Sequence, residues 1–94
     1  MTLTEEKIQK VEEIIDIHLC PDLDIMTRKD IKDHFKVKLI LRPEADVVET
    51  ADFIIDYIYE KYLGTEVQAM MYPQIVAKDP VLIMRQDIIE ELKK

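Results

Sequence analysis

Residues 26–42, MTRKDIKDHFKVKLILR, carry Arg28, Lys29, Lys32, Lys36, Lys38 and Arg42 against Asp30 and Asp33, a local charge of +4 in a chain whose net charge is −7. Two properties of the protein turn on this stretch: whether it is helix throughout, and what its positive charge faces. Thr27 is a good N-cap with Asp30 three residues on, and Met26 to Ile31 has the spacing of a hydrophobic staple. The pattern predicts a short helix over 28–35 with Ile31 and Phe35 inward. Val37-Lys38-Leu39-Ile40-Leu41 reads either as a short extended segment or as a further helical turn, being brief, apolar and β-branched at two positions. Pro43 bounds both readings, since proline disfavours helix just before it and suits the first turn of a following one.

Upstream, a helix is predicted from about Thr4 to Leu19, capped by Thr2 in a Thr2-x-x-Glu5 box or by Thr4. At about 100° per residue, Ile8, Val11, Ile14, Ile15, His18 and Leu19 share one face, while Glu5, Glu6, Gln9, Glu12, Glu13 and Asp16 form an acidic stripe opposite. Cys20-Pro21 ends it. Downstream, a long helix is expected from Pro43 to Leu63, closed by Gly64, with Val47, Ala51, Ile54, Ile55, Ile58 and Tyr62 as its core face. Thr65 then caps a short helix to Tyr72. Asp79-Pro80 starts a last helix from 80 to about 93, with Val81, Met84, Ile88 and Leu92 in one apolar row and Leu82 with Ile89 in another. The sum is an all-α fold, one single-domain bundle of four to five helices over residues 1–94, with 37–41 as the one candidate extended piece.

Composition removes several classes of chemistry. The sequence contains no Ser and no Asn, and its only glycine is Gly64. A serine nucleophile is therefore missing, as are the several glycines a phosphate-cradling loop needs. The lone Cys20 has no intrachain disulfide partner, and no stretch approaches the roughly 18–20 apolar residues that span a bilayer. With a charged, amphipathic N-terminal segment in place of a secretion signal, the chain reads as an intracellular protein, cytoplasmic or nuclear.

Few residues invite a chemical role. His18, Cys20, Asp22 and Asp24 have metal-ligand side chains, but the second half of the chain adds no His or Cys, so they read as a helix-end histidine and a half-buried thiol. The acidic stripe reads as a solvated face or as a dock for a basic partner, not as a catalytic carboxylate pair. No enzymatic activity, metal or cofactor is expected. Phe53 and Tyr57, an i,i+4 aromatic pair on the side away from the predicted core, are either covered by the chain itself or open to a partner. Met70 and Met71 read as core filler or as adaptable binding surface. Arg85, between the two apolar rows of the last helix, either snorkels to water or forms an ion pair within the chain or with a partner.

The basic stretch has two readings. Its cations pair with the chain's own carboxylates, or Arg28, Lys29, Lys32 and Lys36, followed by Lys38 and Arg42, contact nucleic-acid phosphates as in a helix-turn-helix module. The order of features in VEEIIDIHLCPDLDIMTRKDIKDHFKVKL, followed by IIDYIYEKY, resembles the C-terminal domain of the DEK chromatin protein family. The matching pieces are Asp22-Leu23, Thr27-Arg28-Lys29, Ile31-Lys32 and Ile54 to Tyr62, within residues 8–62. Domains of that family are small helical modules implicated in DNA contact, so the resemblance implies a phosphate role for Arg28, Lys29 and Lys32. The primary expectation is a small acidic interaction module of regulatory or adaptor type that docks helix faces, with Phe53, Tyr57, Met70, Met71 and Arg85 as interface candidates. DNA binding through 28–42 is the alternative, and a homodimer formed by the last helix around Arg85 is compatible with either.

Overall fold

The computed structural model describes residues 3–19, 23–62 and 79–94. Its four helices are α1 (Glu5–Leu19), α2 (Ile25–Leu41), α3 (Val47–Tyr62) and α4 (Asp79–Lys93), and the described residues contain no strand. Each helix is amphipathic and packs on two neighbours: α1 on α2 and α4, α3 on α2 and α4, with the α1–α2 seam the thinnest of the four. This cyclic arrangement lets every apolar stripe face one axis. The core contains Val11, Ile15 and Leu19 of α1, Ile31 and Phe35 of α2, Ala51, Ile54, Ile55, Ile58 and Tyr62 of α3, and Val81, Met84, Ile88, Ile89 and Leu92 of α4.

The helix starts follow capping chemistry. At α1 the hydroxyl of Thr4 accepts the Lys7 N–H at 3.2 Å, selecting Thr4 over Thr2, which lies outside the described residues. At α2 the cap is Asp24, not Thr27: Asp24 is extended (φ −72°, ψ 173°) and its Oδ1 accepts the Thr27 N–H at 2.7 Å. The helix therefore begins three residues earlier than the sequence pattern suggests. Thr27 lies inside it, buried, and Met26 points outward, so the expected Met26–Ile31 staple does not form.

Residues 37–41 continue α2, and the Arg42 N–H donates to the Lys38 carbonyl at 2.8 Å. An isolated extended piece would leave its backbone groups without a ladder, whereas one more turn satisfies them, and the β-branched residues cost only a few tenths of a kcal/mol in a helix. Pro43 ends α2 instead of starting α3. Arg42, forced off the helical region by the following ring, sits at φ −129°, and α3 begins at Val47 behind Asp46. Asp46 Oδ1 accepts the Glu49 N–H at 2.9 Å, and its carbonyl accepts the Thr50 hydroxyl at 2.6 Å. The predicted row Leu82–Ile89 splits: Ile89 is buried and Leu82 is exposed. The expected cap at Gly64 and the helix 65–72 lie outside the described residues.

The α1–α4 seam is tied at two levels. His18 Nε2 lies 2.7 Å from Asp87 Oδ2, and Lys7 Nζ donates at 2.8 Å to the carbonyl of Glu91 in the last turn of α4, where helix carbonyls lack intrahelical partners.

Replacing Asp24 by Ala should lower unfolding stability by about 1 kcal/mol, while Asp24→Asn keeps most of it, because either amide or carboxylate oxygen can accept the Thr27 N–H. Urea denaturation midpoints of the two variants against the wild type test the assignment of the cap.

Candidate interaction surfaces

α2 has three working faces, set by the burial of Ile31 and Phe35. One helical step to one side, Arg28, Lys32 and Lys36 meet α1. Asp16 accepts Arg28 Nη1 at 2.9 Å and Lys32 Nζ at 2.7 Å, and Glu12 lies 3.4 Å from Lys36 Nζ. Arg28 Nε also donates to the Leu23 carbonyl at 3.1 Å, tying the helix to its own entry loop. Burial works to raise the Asp16 carboxyl, but Lys32 and Arg28 outweigh it and hold the group below the ordinary carboxylate value. The acidic stripe of α1 is thus divided: Glu12 and Asp16 face α2, while Glu5, Glu6, Gln9 and Glu13 stay exposed.

The remaining cations of the basic stretch are placed separately. Lys29 pairs with Asp33 one turn on at 2.8 Å, and Arg42 reaches Glu44 at 2.7 Å and Glu49 at 3.5 Å across the α2–α3 turn. Lys38 lines a groove of about 230 Å³ between α2 and α3 with His34, Phe53, Asp56, Tyr57 and Glu60. Arg28, Lys29, Lys32, Lys36 and Arg42 therefore each meet a carboxylate of this chain, and the residues to which the family resemblance assigns phosphate contact are among them. Pairing with the chain's own carboxylates thus describes the geometry of these five cations.

On its other side α2 meets α3 through one carboxylate. Asp30 Oδ2 accepts the Tyr57 hydroxyl at 2.8 Å, the Tyr62 hydroxyl at 2.5 Å and Lys61 Nζ at 2.8 Å. Tyr57 stacks flat on His34, with ring centroids 3.7 Å apart and planes 6° off parallel, and meets Tyr62 edge to face at 6.3 Å. Lys61 Nζ lies 5.4 Å and 5.6 Å from the two tyrosine ring centres. Burial raises the Asp30 carboxyl, yet the donors Lys61, Tyr62 and Tyr57 more than offset it and bring the group to about 2. Hydrogen bonds to Asp30 and Tyr57 raise Lys61 above the usual lysine value, and burial followed by the hydrogen bond to Asp30 raises Tyr62. Burial, then the nearby Lys38 charge, lowers His34.

The aromatic pair on α3 is thus covered within the chain at Tyr57, and Phe53 is half-buried at the rim of the groove. Sequence periodicity sets both residues on the side away from the core, whereas Tyr57 packs against the edge of the core and donates to Asp30, a partner the periodicity does not identify. The available signal was Tyr57, Lys61 and Tyr62 clustered on one side of a helix, three donors in need of an acceptor. Arg85 makes an ion pair within the chain, its Nε 2.8 Å from Asp52 Oδ1. Met70 and Met71 lie outside the described residues. Among the described residues no group of His, Cys, Asp and Glu is placed to hold a metal ion, and no helix is long and apolar enough to cross a membrane.

What α2 leaves uncovered is its outer face. Ile25 and Met26 at its start are each 73% exposed, and Val37, Ile40 and Leu41 at its end are 52%, 79% and 64% exposed. None of these is a binding candidate in the sequence reading, which places the short helix over 28–35 and leaves 37–41 open between an extended segment and a further helical turn. Compared with known proteins, the chain matches no family model, no curated protein and no solved structure.

Two outcomes test these contacts. Because the folded state holds Asp30 below its unfolded value of about 3.9, its contribution is complete above about pH 4 and is lost as pH falls towards 2. Asp30→Asn should remove that component, so the stability gap between wild type and variant, no more than about 1 kcal/mol after screening at this half-exposed site, narrows between pH 5 and pH 2.5, followed by urea titration. Second, the combined Glu12→Gln and Asp16→Asn variant frees Arg28, Lys32 and Lys36. It should bind duplex DNA at low salt more tightly than the wild type, as read by fluorescence anisotropy.

Proposed function

We propose that this protein is a small, non-enzymatic helical module that acts inside the cell as an adaptor or regulatory subunit, binding another protein chain through the outer face of α2. The observation that carries this reading is the exposure of Met26, Val37, Ile40 and Leu41 on one side of a single helix. Exposed apolar side chains gathered on one surface, and not scattered, are a common mark of protein contact. The half-buried Phe53 and the groove between α2 and α3 border that face, so it continues past α2 onto α3.

Charge supports the same reading. With Arg28, Lys32 and Lys36 occupied by α1, the free charge on the adjoining face is that of Glu5, Glu6 and Glu13, and the chain as a whole carries −7. An acidic surround steers association with basic partners and speeds encounter more than it tightens the complex.

Ile40→Lys places a charge in the middle of the apolar patch without touching the core. Immobilised wild-type protein should retain from a cell extract at least one protein whose capture falls by about tenfold or more with this variant, while the far-UV circular dichroism of the two is the same. Equal capture of every retained protein by both forms would overturn the assignment of the face.

A further inference from the structure

Taking the binding face of α2 to continue onto α3 as proposed above, we infer that the groove between these helices receives an arginine side chain of a basic partner protein, held against Phe53 between Asp56 and Glu60. The groove has a volume of about 230 Å³, room for one long side chain, and α3 lines it with Phe53, Asp56, Tyr57 and Glu60. These positions are i, i+3, i+4 and i+7, so rings and carboxylates alternate along one face of the helix. His34 and Lys38 of α2 form the other wall. Val37 and Leu41 follow these two by three residues each and are exposed, so the apolar patch of α2 runs up to the groove.

Charge selects a cation as the occupant. Elsewhere on α3 the acids have cations of this chain: Glu49 meets Arg42 and Asp52 meets Arg85. Asp56 and Glu60 are exposed, and among the described residues neither forms an ion pair. Arg85 feels the Asp56 charge, but its Nε is bonded to Asp52 at 2.8 Å. Lys38 faces the two carboxylates from α2 without pairing with either. Burial and the Lys38 charge hold His34 below the ordinary histidine value, so at pH 7 the lining carries two carboxylates against one ammonium. A positive guest is favoured by that balance.

Ring chemistry selects arginine over lysine. The ring and cation contacts of the neighbouring cluster join His34, Tyr57, Tyr62 and Lys61 and leave Phe53 out. Phe53 is half-buried at the rim, with Asp56 and Glu60 one and two turns on. A guanidinium is flat and weakly hydrated, so it stacks on such a ring while its forked N–H groups donate to carboxylates on either side. Within the chain the same combination of cation, ring and carboxylate is complete at Tyr57, where Lys61 lies 5.4 Å from the ring centre and 2.8 Å from Asp30.

Fluorescein-labelled hexa-arginine and hexa-lysine peptides, titrated against the full chain by anisotropy at about 50 mM salt, test the groove, with every variant checked by far-UV circular dichroism. The wild type should bind hexa-arginine about fivefold more tightly than hexa-lysine, and Phe53→Leu should erase that preference. Glu60→Gln should weaken hexa-arginine binding about threefold, and Asp56→Asn combined with it about tenfold. Glu90→Gln makes the same change of charge at an exposed position of α4 and should alter binding by less than about twofold. Lys38→Gln should tighten it about threefold. Equal affinity for the two peptides overturns the arginine site, as does absence of binding or equal weakening by Glu60→Gln and Glu90→Gln. The capture experiment separates this inference from the reading beneath it. Proteins whose capture depends on Ile40 but not on Asp56 and Glu60 overturn the arginine and leave the α2 face standing. Peptide binding with the full expected pattern, beside capture that Ile40→Lys does not change, overturns the α2 face and upholds the groove.

Discussion

The rotation of α2 about its own axis governs the rest of the surface, and two side chains hold it. Ile31 and Phe35 are fully buried, and burial of each is worth about 1.5–3 kcal/mol. Turning α2 by a single residue would swing them 100° out of the core, a loss no surface contact could offset. Once they are seated, the positions of the charged residues follow. Arg28, Lys32 and Lys36 turn to α1, Asp30 and His34 turn to α3, and Lys29, Asp33 and Ile40 are left outside.

The polar contacts on either side of α2 have different weights. Those with α1 are partly exposed ion pairs of long side chains, each worth about 0–1 kcal/mol, across the thinnest seam of the bundle. They select which neighbour α2 takes more than they hold it there. The contact with α3 is built differently: one carboxylate oxygen takes three donors and is flanked by a stacked His34–Tyr57 pair. Charge-assisted hydrogen bonds to a depressed carboxylate are stronger and more directional, so Asp30 fixes the azimuth of α3 on α2.

An acidic protein with a basic stretch is consistent with this arrangement. The positive charge of residues 26–42 is set against carboxylates of α1, of the α2–α3 turn and of α2 itself, and the surplus that remains outside is negative. What distinguishes α2 from a solvated helix is therefore apolar, not cationic. Its exposed Met26, Val37, Ile40 and Leu41 sit where a short chain of this composition had other helix faces available to bury.

The all-α class, the core faces of α1 and α3 and the main row of α4 were legible in the sequence, because a period near 3.6 is a local property that survives without knowledge of neighbours. Val11, Ile15, Ile54, Ile58, Met84 and Ile88 all sit where that period puts them. The ends of α2 were not legible. Asp24 and Thr27 are both good caps in isolation, and Val37–Leu41 suits helix or strand until the described residues are seen to offer no strand to pair with it. Nor could a linear reading say which acids the cations meet, since Asp16 and Lys32, or Asp30 and Tyr62, become neighbours only after the core has fixed the rotation of both helices. Periodicity, set by local backbone geometry, was the sequence's own contribution; pairing and exposure, set by how buried side chains orient one helix against another, belonged to the tertiary structure alone.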